Sequence, residues 1–511
     1  MIIKLKKLLQ DKFFLSLIIL FLFGVLSSYS LPPYNFVIIN FIIYPFVFIF
    51  LYIFKGQGYR TFLSGIIFGF GYFVSNLYWI TNSLTFDIEF KPLIPFALIM
   101  IPLFLSLFYG FVFFIISFFK ISFNFSSLLL IAIVFSAMEF LRGTIFTGFP
   151  WNLIVYSLSN SDSSIQILSY IGTYSLNLLS ITFFLLPTLI IFNISKIAKL
   201  IIIFLSISTI LINFNYGQKR IENFKKTEEI HMETSIKIVS PGIKLERYFN
   251  DEDPLKKINE IIALSSPDKE KSTLFVYPEG ILAGLHLDDF KKYQYLIDRS
   301  FSDNHKIIMG INILEDEKIF NTLVMFNNKL KIIHTYKKNK LVPFGEFLPF
   351  ENYLSNLGLK KITQGYRSFS SSNNRELINF NKFKILPLIC YEIIYSGRLS
   401  KNRNYDFIVN ISEDGWFGKS VGPYQHFIHS KFRSIEEGKN IIRSSNNGYS
   451  GLVSPIGSFK KIIKSTSSGV VSINKITLVE KTLFSSHGNK IFFYFNLIYI
   501  SLIFFLKRKE L

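Results

Sequence analysis

Cysteine is almost absent from this chain. Cys390 is the only one in 511 residues, so no intramolecular disulfide can form. With 7 histidines, no His-Glu-x-x-His and no cysteine pair, the spacing offers no metal set. His426 and His429 stand one helical turn apart, but no Cys or third His adjoins them in sequence, and neither a metal nor any other cofactor is expected. A nucleotide site is excluded too: Gly418-Lys419-Ser420 imitates the end of a phosphate loop, but Glu413 stands where its leading glycine is required. No internal repeat or low-complexity linker stands out. Acidic residues are scarce, 35 against 55 basic ones, which leaves a net charge of +20.

What the chain has in excess is apolar. Hydrophobic residues make up 50%, and phenylalanine alone numbers 59. The mean hydropathy is +0.37, on the membrane side for a protein of this length. A basic surplus suits nucleic acid, an anionic bilayer surface or the cytoplasmic flanks of membrane spans. The apolar content lies in long runs, so the membrane readings prevail and no nucleic-acid partner is expected.

Those runs predict spans near residues 13–29, 35–54, 61–83, 93–118, 123–141, 164–192, 197–214 and 490–506, each near the ~20 residues that cross a hydrocarbon core. Basic residues mark alternate flanks: Lys4, Lys6, Lys7 and Lys12, then Lys55 and Arg60, Lys120, Lys196 and Lys199, and Lys507 to Lys509. The intervening loops carry only Lys91 and Arg142. By the positive-inside rule, both termini are expected in the cytoplasm and the long segment 215–489 on the opposite side. Ser28-Tyr29-Ser30 imitates a signal-peptide cleavage site, but seven further spans and the Pro32-Pro33 turn favour a retained helical hairpin. Gly65, Gly69, Gly71, Tyr78 and Trp79 suit helix packing and an interface belt, with packing alone the favoured reading. Glu139 and Arg142 fall at the end of the fifth span, where a structural ion pair and a lipid headgroup clamp fit equally well.

Past Asn215 short strands alternate with charged helices, the pattern of an α/β domain. Strands are expected at 235–240, 273–277, 307–311, 322–326, 331–334, 383–389, 407–411, 441–444 and 451–454, with helices over 254–264, 288–301 and 424–437. The expected domains are therefore 1–215, 216–489 and a terminal span with a basic tail, 490–511.

Two strands deliver reactive side chains. The run Phe383–Ile389 ends on Cys390, followed by Tyr391 and Glu392, and Val276-Tyr277-Pro278 ends on Glu279. The segment between them, Lys337 to Pro349, supplies Lys340 and Glu346. A cysteine nucleophile needs a base to take its proton and a positive donor for the oxyanion formed at a carbonyl. Glutamate, lysine and cysteine at strand ends meet both needs.

In that order they resemble the Glu-Lys-Cys triad of the nitrilase, or carbon–nitrogen hydrolase, superfamily. Lys-x-x-Leu-Val-Pro-Phe-Gly-Glu, ending on Glu346, and Ile389-Cys390-Tyr391-Glu392 resemble its membrane-bound branch, the apolipoprotein N-acyltransferases. Thr147-Gly148-Phe149-Pro150-Trp151, Arg433 to Gly438 and Arg443 to Gly448 resemble further signatures of that family in the same order. The usual Asn-Asp-Ala-Trp is here Glu413-Asp414-Gly415-Trp416, and Tyr248 stands where the family often has tryptophan.

The resemblance implies a polytopic α-helical membrane bundle of about eight spans plus a periplasmic α/β nitrilase-like αββα sandwich. It implies Glu279, Lys340 and Cys390 as catalytic, Glu346, Tyr391 and Glu392 as supporting, and Tyr248, Arg142, Trp151 and Trp416 as lipid-loop residues. The implied reaction moves a fatty acyl chain from a phospholipid of the phosphatidylethanolamine kind, through a Cys thioester, to the α-amine of a diacylglyceryl-cysteine apolipoprotein. The implied setting is a bacterial inner membrane, and a monomer is expected. A membrane-tethered amidase or nitrilase is the nearer rival, and a transporter or scaffold with an inert α/β domain the farther one.

Overall fold

The structure, a computed structural model, describes residues 7, 9–192, 194–249, 253–357, 361 and 368–510. Lys4 and Lys6 lie outside the described residues. The chain forms two compact units. One comprises Met1–Tyr78, Leu93–Glu222 and Ser486–Leu511, the other Trp79–Pro92 and Asn223–Ser485.

In the first unit every apolar run folds as helix. Among the described residues, six are long and apolar enough to cross a membrane: Gly58–Thr85, Lys91–Ser117, Phe125–Arg142, Ser164–Ile191, Lys196–Lys226 and Lys490–Arg508. Phe13–Ser28 and Val37–Ile53 are apolar but shorter. Small residues let these helices approach backbone to backbone. A Cβ on Gly71 would lie 2.2 Å from the Phe21 carbonyl oxygen, and one on Gly65 would lie 2.5 Å from that of Tyr109. The helix Lys196–Lys226 runs eleven residues past the expected boundary and differs from its neighbours. Ile201, Phe204, Leu205 and Leu211 are all exposed along it, so its apolar side chains suit lipid and not a protein core.

Glu139 and Arg142 resolve as the structural pair. Both side chains are fully buried, 3.6 Å apart. Tyr109 donates to Glu139 at 2.9 Å and Asn177 at 2.5 Å. Arg142 donates to the carbonyls of Phe149 and Asn152, holding the loop that carries Trp151 against the helices. Trp151 is itself buried, its ring parallel to that of Phe149. The guanidinium thus meets a carboxylate and two carbonyls, while its Nε has no hydrogen-bond partner among the described residues.

The second unit contains two six-stranded sheets, ordered β12-β1-β2-β3-β4-β5 and β11-β10-β9-β8-β7-β6. In chain order the strands are β1 Ile230–Ser240, β2 Thr273–Val276, β3 His305–Glu315, β4 Lys318–Asn327, β5 Ile332–Lys337, β6 Ile378–Phe380, β7 Phe383–Ile389, β8 Phe407–Glu413, β9 Asn440–Asn446, β10 Ser450–Val453, β11 Phe459–Ile463 and β12 Gly469–Ile476. Parallel strands occupy the middle of each sheet, β1-β2-β3 and β7-β8-β9. Their near-continuous apolar runs are what strands covered on both faces require.

The sheets face each other, and serines stitch them: Ser240 donates to the Ser445 carbonyl and Ser444 to that of Val239. Helices cover the outside. Ile258 and Ile261 of the helix Pro254–Ser265, and Ile297 of Gln294–Ser300, pack with Phe275, Val324 and Phe326 of the first sheet. Helix Gly422–Glu437, almost wholly buried, lies on the second.

Three departures from the expected elements stand out. The helix expected over 288–301 is two short pieces, Leu287–Lys291 and Gln294–Ser300. The strands β6, β11 and β12 were not anticipated. β1 starts at Ile230, five residues before the expected strand; Trp79, by contrast, packs as expected, 3% exposed and edge-on against Phe417, 4.7 Å away.

Candidate active site

Cys390 follows β7 and opens a short 3-10 turn, Cys390–Ile394. Its φ is +48°, a left-handed conformation that a non-glycine residue keeps only when its surroundings impose it. Glu392 is what imposes it. Its Oε2 accepts the Ile389 N–H at 2.9 Å, while Oε1 accepts those of Asn339 (3.0 Å) and Lys340 (3.1 Å). Tyr336 donates to both oxygens at 2.7 and 2.9 Å, and Arg375 pairs with Oε1. One buried carboxylate thus fixes the cysteine turn and the lysine loop to each other.

The lysine in the site is Lys338, not Lys340. Lys338 Nζ lies 3.1 Å from Glu279 Oε1 and 2.9 Å from Glu346 Oε1, with its side chain 1% exposed. Lys340 contributes a backbone N–H to Glu392 and leaves its ammonium outside the carboxylate pair. The reason is strand parity. The alternation that buries Tyr336 and turns Lys337 out to Glu315 carries one residue past the end of β5, so Lys338 turns in before the chain bends away.

Asn321 of β4 completes the cluster, donating to Glu279 at 2.6 Å and to Glu346 at 2.7 Å. Glu279 Oε2 accepts the Glu413 N–H at 3.1 Å. Glu346 Oε2 accepts the Val342 N–H at 2.9 Å, which closes its own loop.

The electrostatics follow from burial and these partners. Burial opposes the Lys338 charge, but Glu279 and Glu346 outweigh it and hold the ammonium pKa well above the lysine range. Burial, reinforced by Glu279, pushes the Cys390 thiol well up, with Lys338 opposing. The resting site therefore holds a thiol and an ammonium, the latter between the Glu279 and Glu346 side chains. A proton acceptor and a cation stand beside a sulfur that ionises only as it reacts.

Behind the cysteine lies a second network that spacing did not reveal. Asp414 accepts from Ser412 (2.7 Å) and Arg443 (2.9 Å), and His426 Nδ1 lies 2.9 Å from it. Burial opposes the Asp414 charge, yet Arg443 and His426 hold its carboxyl far below the usual range. Potential ligand atoms of Cys390, Asp414 and His426 lie within 4.8 Å of one another. The Arg443 guanidinium, on both Asp414 and His426, makes this trio a poor cation site and a good scaffold for the nucleophile.

Of the other expected residues, Tyr391 is buried edge-on to Tyr395. Tyr248 lies 5.2 Å from Trp416, which meets Phe86 edge-on at 5.9 Å. The Tyr248 hydroxyl donates to the Gly280 carbonyl at 2.9 Å. Arg142 and Trp151 belong to the first unit and are buried there. Missed by sequence reasoning were Lys338, Asn321, Arg247, Arg375 and the set Asp414, His426 and Arg443. Of these only Lys338 had a local signal, a parity with Tyr336 that Lys340 shares.

Residues 243–480, which hold most of both facing sheets together with Glu279, Lys338, Glu346 and Cys390, match the carbon–nitrogen hydrolase family. Residues 23–186 match the apolipoprotein N-acyltransferase N-terminal domain. The apolipoprotein N-acyltransferase of Rickettsia typhi is 31% identical over 92% of this chain and 94% of its own length. That of Rhizobium rhizogenes is 30% identical over 79% and 78%. A solved structure, the CN-hydrolase superfamily protein XC1258 from Xanthomonas campestris, is 14% identical with a TM-score of 0.35, over 48% of this chain and 91% of that one. The chain belongs to the apolipoprotein N-acyltransferase family, which is a family of enzymes.

Proposed function

We propose that this chain transfers a fatty acyl group from a membrane phospholipid to the α-amine of a lipoprotein's N-terminal diacylglyceryl-cysteine, with Cys390 as nucleophile, Glu279 as base and Lys338 as the cation at the oxyanion. The observation that carries this is the buried Glu279–Lys338–Glu346 cluster beside a strained cysteine, in a chain whose other unit is made of apolar helices.

In the first half-reaction the Cys390 thiol gives its proton to Glu279 as sulfur attacks the ester carbonyl. Lys338 stabilises the oxyanion. The tetrahedral adduct collapses, the ester C–O bond breaks, and the lysophospholipid oxygen leaves with the proton from Glu279. In the second half the amine attacks the thioester and loses a proton to Glu279. The C–S bond then breaks, and the sulfur recovers that proton. Glu346 and Asn321 keep Lys338 in place through both steps. Both substrates are lipid-anchored, which accounts for the apolar helices. The charge pattern puts both termini in the cytoplasm and the catalytic unit on the other side, the periplasm of a cell with an inner membrane. Phosphatidylethanolamine is the donor we favour, and a monomer suffices.

The test is the intact mass of the Cys390 peptide after the purified protein meets phosphatidylethanolamine vesicles. An added acyl mass, absent in Cys390→Ala and discharged by a diacylglyceryl-cysteine peptide, is the expected result. Acyl transfer by Cys390→Ala, or turnover of a soluble amide with no lipid adduct, would overturn the reading.

A further inference from the structure

One buried ion pair near the base is not used by the chemistry above. Arg247, in the turn Leu245–Tyr248 after β1, pairs with Glu413 at the end of β8, and their side chains are 2% and 1% exposed. Neither residue is a surface charge that happens to meet another: each is committed to backbone on a catalytic element.

Arg247 donates through Nε (3.2 Å) and Nη2 (3.0 Å) to the Gly280 carbonyl, the residue next to Glu279. Its Nη1 donates to the carbonyls of Ile243 and Lys244. Its guanidinium lies 4.5 Å from the centre of the Tyr248 ring, and the Tyr248 hydroxyl also donates to Gly280. Gly280 is left-handed, with φ +59°, and a Cβ there would lie 2.1 Å from the Tyr248 hydroxyl, so backbone and clamp are fitted to each other. On the other side, Glu413 is held by the Asn446 side chain (2.7 Å) and the Gly415 N–H (2.8 Å). Its own N–H is the donor to Glu279 Oε2. The pair therefore joins the Gly280 carbonyl to the N–H that aims the Glu279 carboxylate.

We propose that Arg247 and Glu413 are positioning residues for Glu279: by tying the β8 end to the turn after β2, they hold the base carboxylate in line with the Cys390 thiol. The inference rests on the assignment of Glu279 as the base. A mis-set base acts on the acylation step and not on phospholipid binding. Displacement of a reacting group by about 1 Å costs roughly a hundredfold in rate.

Single-turnover acylation of Cys390 from phosphatidylethanolamine vesicles, read by intact mass, is compared in Glu413→Gln, Arg247→Gln and the double variant, beside thermal melts in detergent. Each single variant leaves a buried group unpaired and melts lower. The double variant removes both charges and regains most of the lost melting temperature. For a positioning pair, all three acylate about ten- to a hundredfold slower at saturating lipid, with half-saturation unchanged, and the double is no faster than the singles. A double variant that recovers both melting temperature and native acylation rate overturns the proposal, because the pair then matters only for stability. Glu279→Gln separates the two readings. If it acylates at the native rate, the assignment of the base falls and the pair's role with it. If it is inactive while the double variant is fully active, only the positioning role falls.

Discussion

Replacing Lys338 by methionine keeps the length and apolar stem of the side chain and removes the charge. In the structure this leaves Glu279 and Glu346 facing the vacated ammonium position, where contacts of 3.1 and 2.9 Å are lost together. Breaking a buried pair typically costs about 3–5 kcal/mol, because the partner charge stays buried without compensation. Here two glutamates sharing Asn321 lose the cation between them, which unseats the base. Loss of the oxyanion cation adds roughly 3–4 kcal/mol at the transition state. Acylation should therefore fall by about a thousandfold or more. The Cys390 thiol, which Lys338 helps to ionise, should become harder to alkylate still.

Lys340→Met is the control. Only the backbone N–H of Lys340 is engaged, so its loss should change the rate by no more than about threefold. The assay is single-turnover formation of the Cys390 acyl adduct from phosphatidylethanolamine vesicles, normalised to the fraction folded in a detergent melt. An active Lys338→Met, or a Lys340→Met equally inert, would refute the reasoning.

A second group sets a pH dependence of stability. Burial raises the Glu437 carboxyl to about 7, so the folded chain binds more protons than the unfolded one between the ordinary carboxyl range and pH 7. Stability must fall as pH rises through that window, and Glu437→Gln should remove the slope and gain up to ~3 kcal/mol at pH 8 in thermal melts. The opposite sign holds for Asp414, whose depressed carboxyl stabilises the fold at neutral pH, so Asp414→Asn should melt markedly lower at pH 7 than the native chain. Gly71→Val should lower the melting temperature sharply, since its Cβ alone would lie 2.2 Å from the Phe21 carbonyl. A reporter fused near Lys219 should be active only in the periplasm and one after Leu511 only in the cytoplasm; both on one side would refute the proposed topology.

How far the chain could be read before the structure depended on whether a signal was local. Cys390 and Glu279 are legible because an apolar run of strand type ends on each, and the apolar helices declare themselves by length. The lysine was ambiguous. Parity with Tyr336 sets Lys337 aside but leaves Lys338 and Lys340 equivalent until the end of β5 is fixed. β12 alternates poorly, with Val470 and Val471 adjacent and Asn474 and Lys475 both exposed, and nothing near Gly469–Ile476 announces that its partner is β1, more than 200 residues earlier. The role of Arg142 turned on burial. An Arg at the end of an apolar helix reads the same whether it meets headgroups or, as found, carbonyls and Glu139. His426 and Asp414 were illegible because the helix and the strand end that carry them meet only in the folded unit.

The placement of Trp79–Pro92 in the second unit has a consequence for biogenesis. Asn82 donates to the Phe417 carbonyl at 2.7 Å across 335 residues of chain, and Trp79 and Phe86 pack on Phe417 and Trp416. At ribosomal speeds of ~5–20 residues per second, the early segment waits on the order of 20–70 s for its partners to be made. β1 waits about two-thirds as long for β12. The nascent chain must therefore keep a short aromatic stretch, flanked on both sides by apolar helices, uncommitted while most of the protein is synthesised. Its completion is among the last events of folding, so a chain truncated before residue 417 would carry every long apolar helix except Lys490–Arg508 yet leave this segment without its seat.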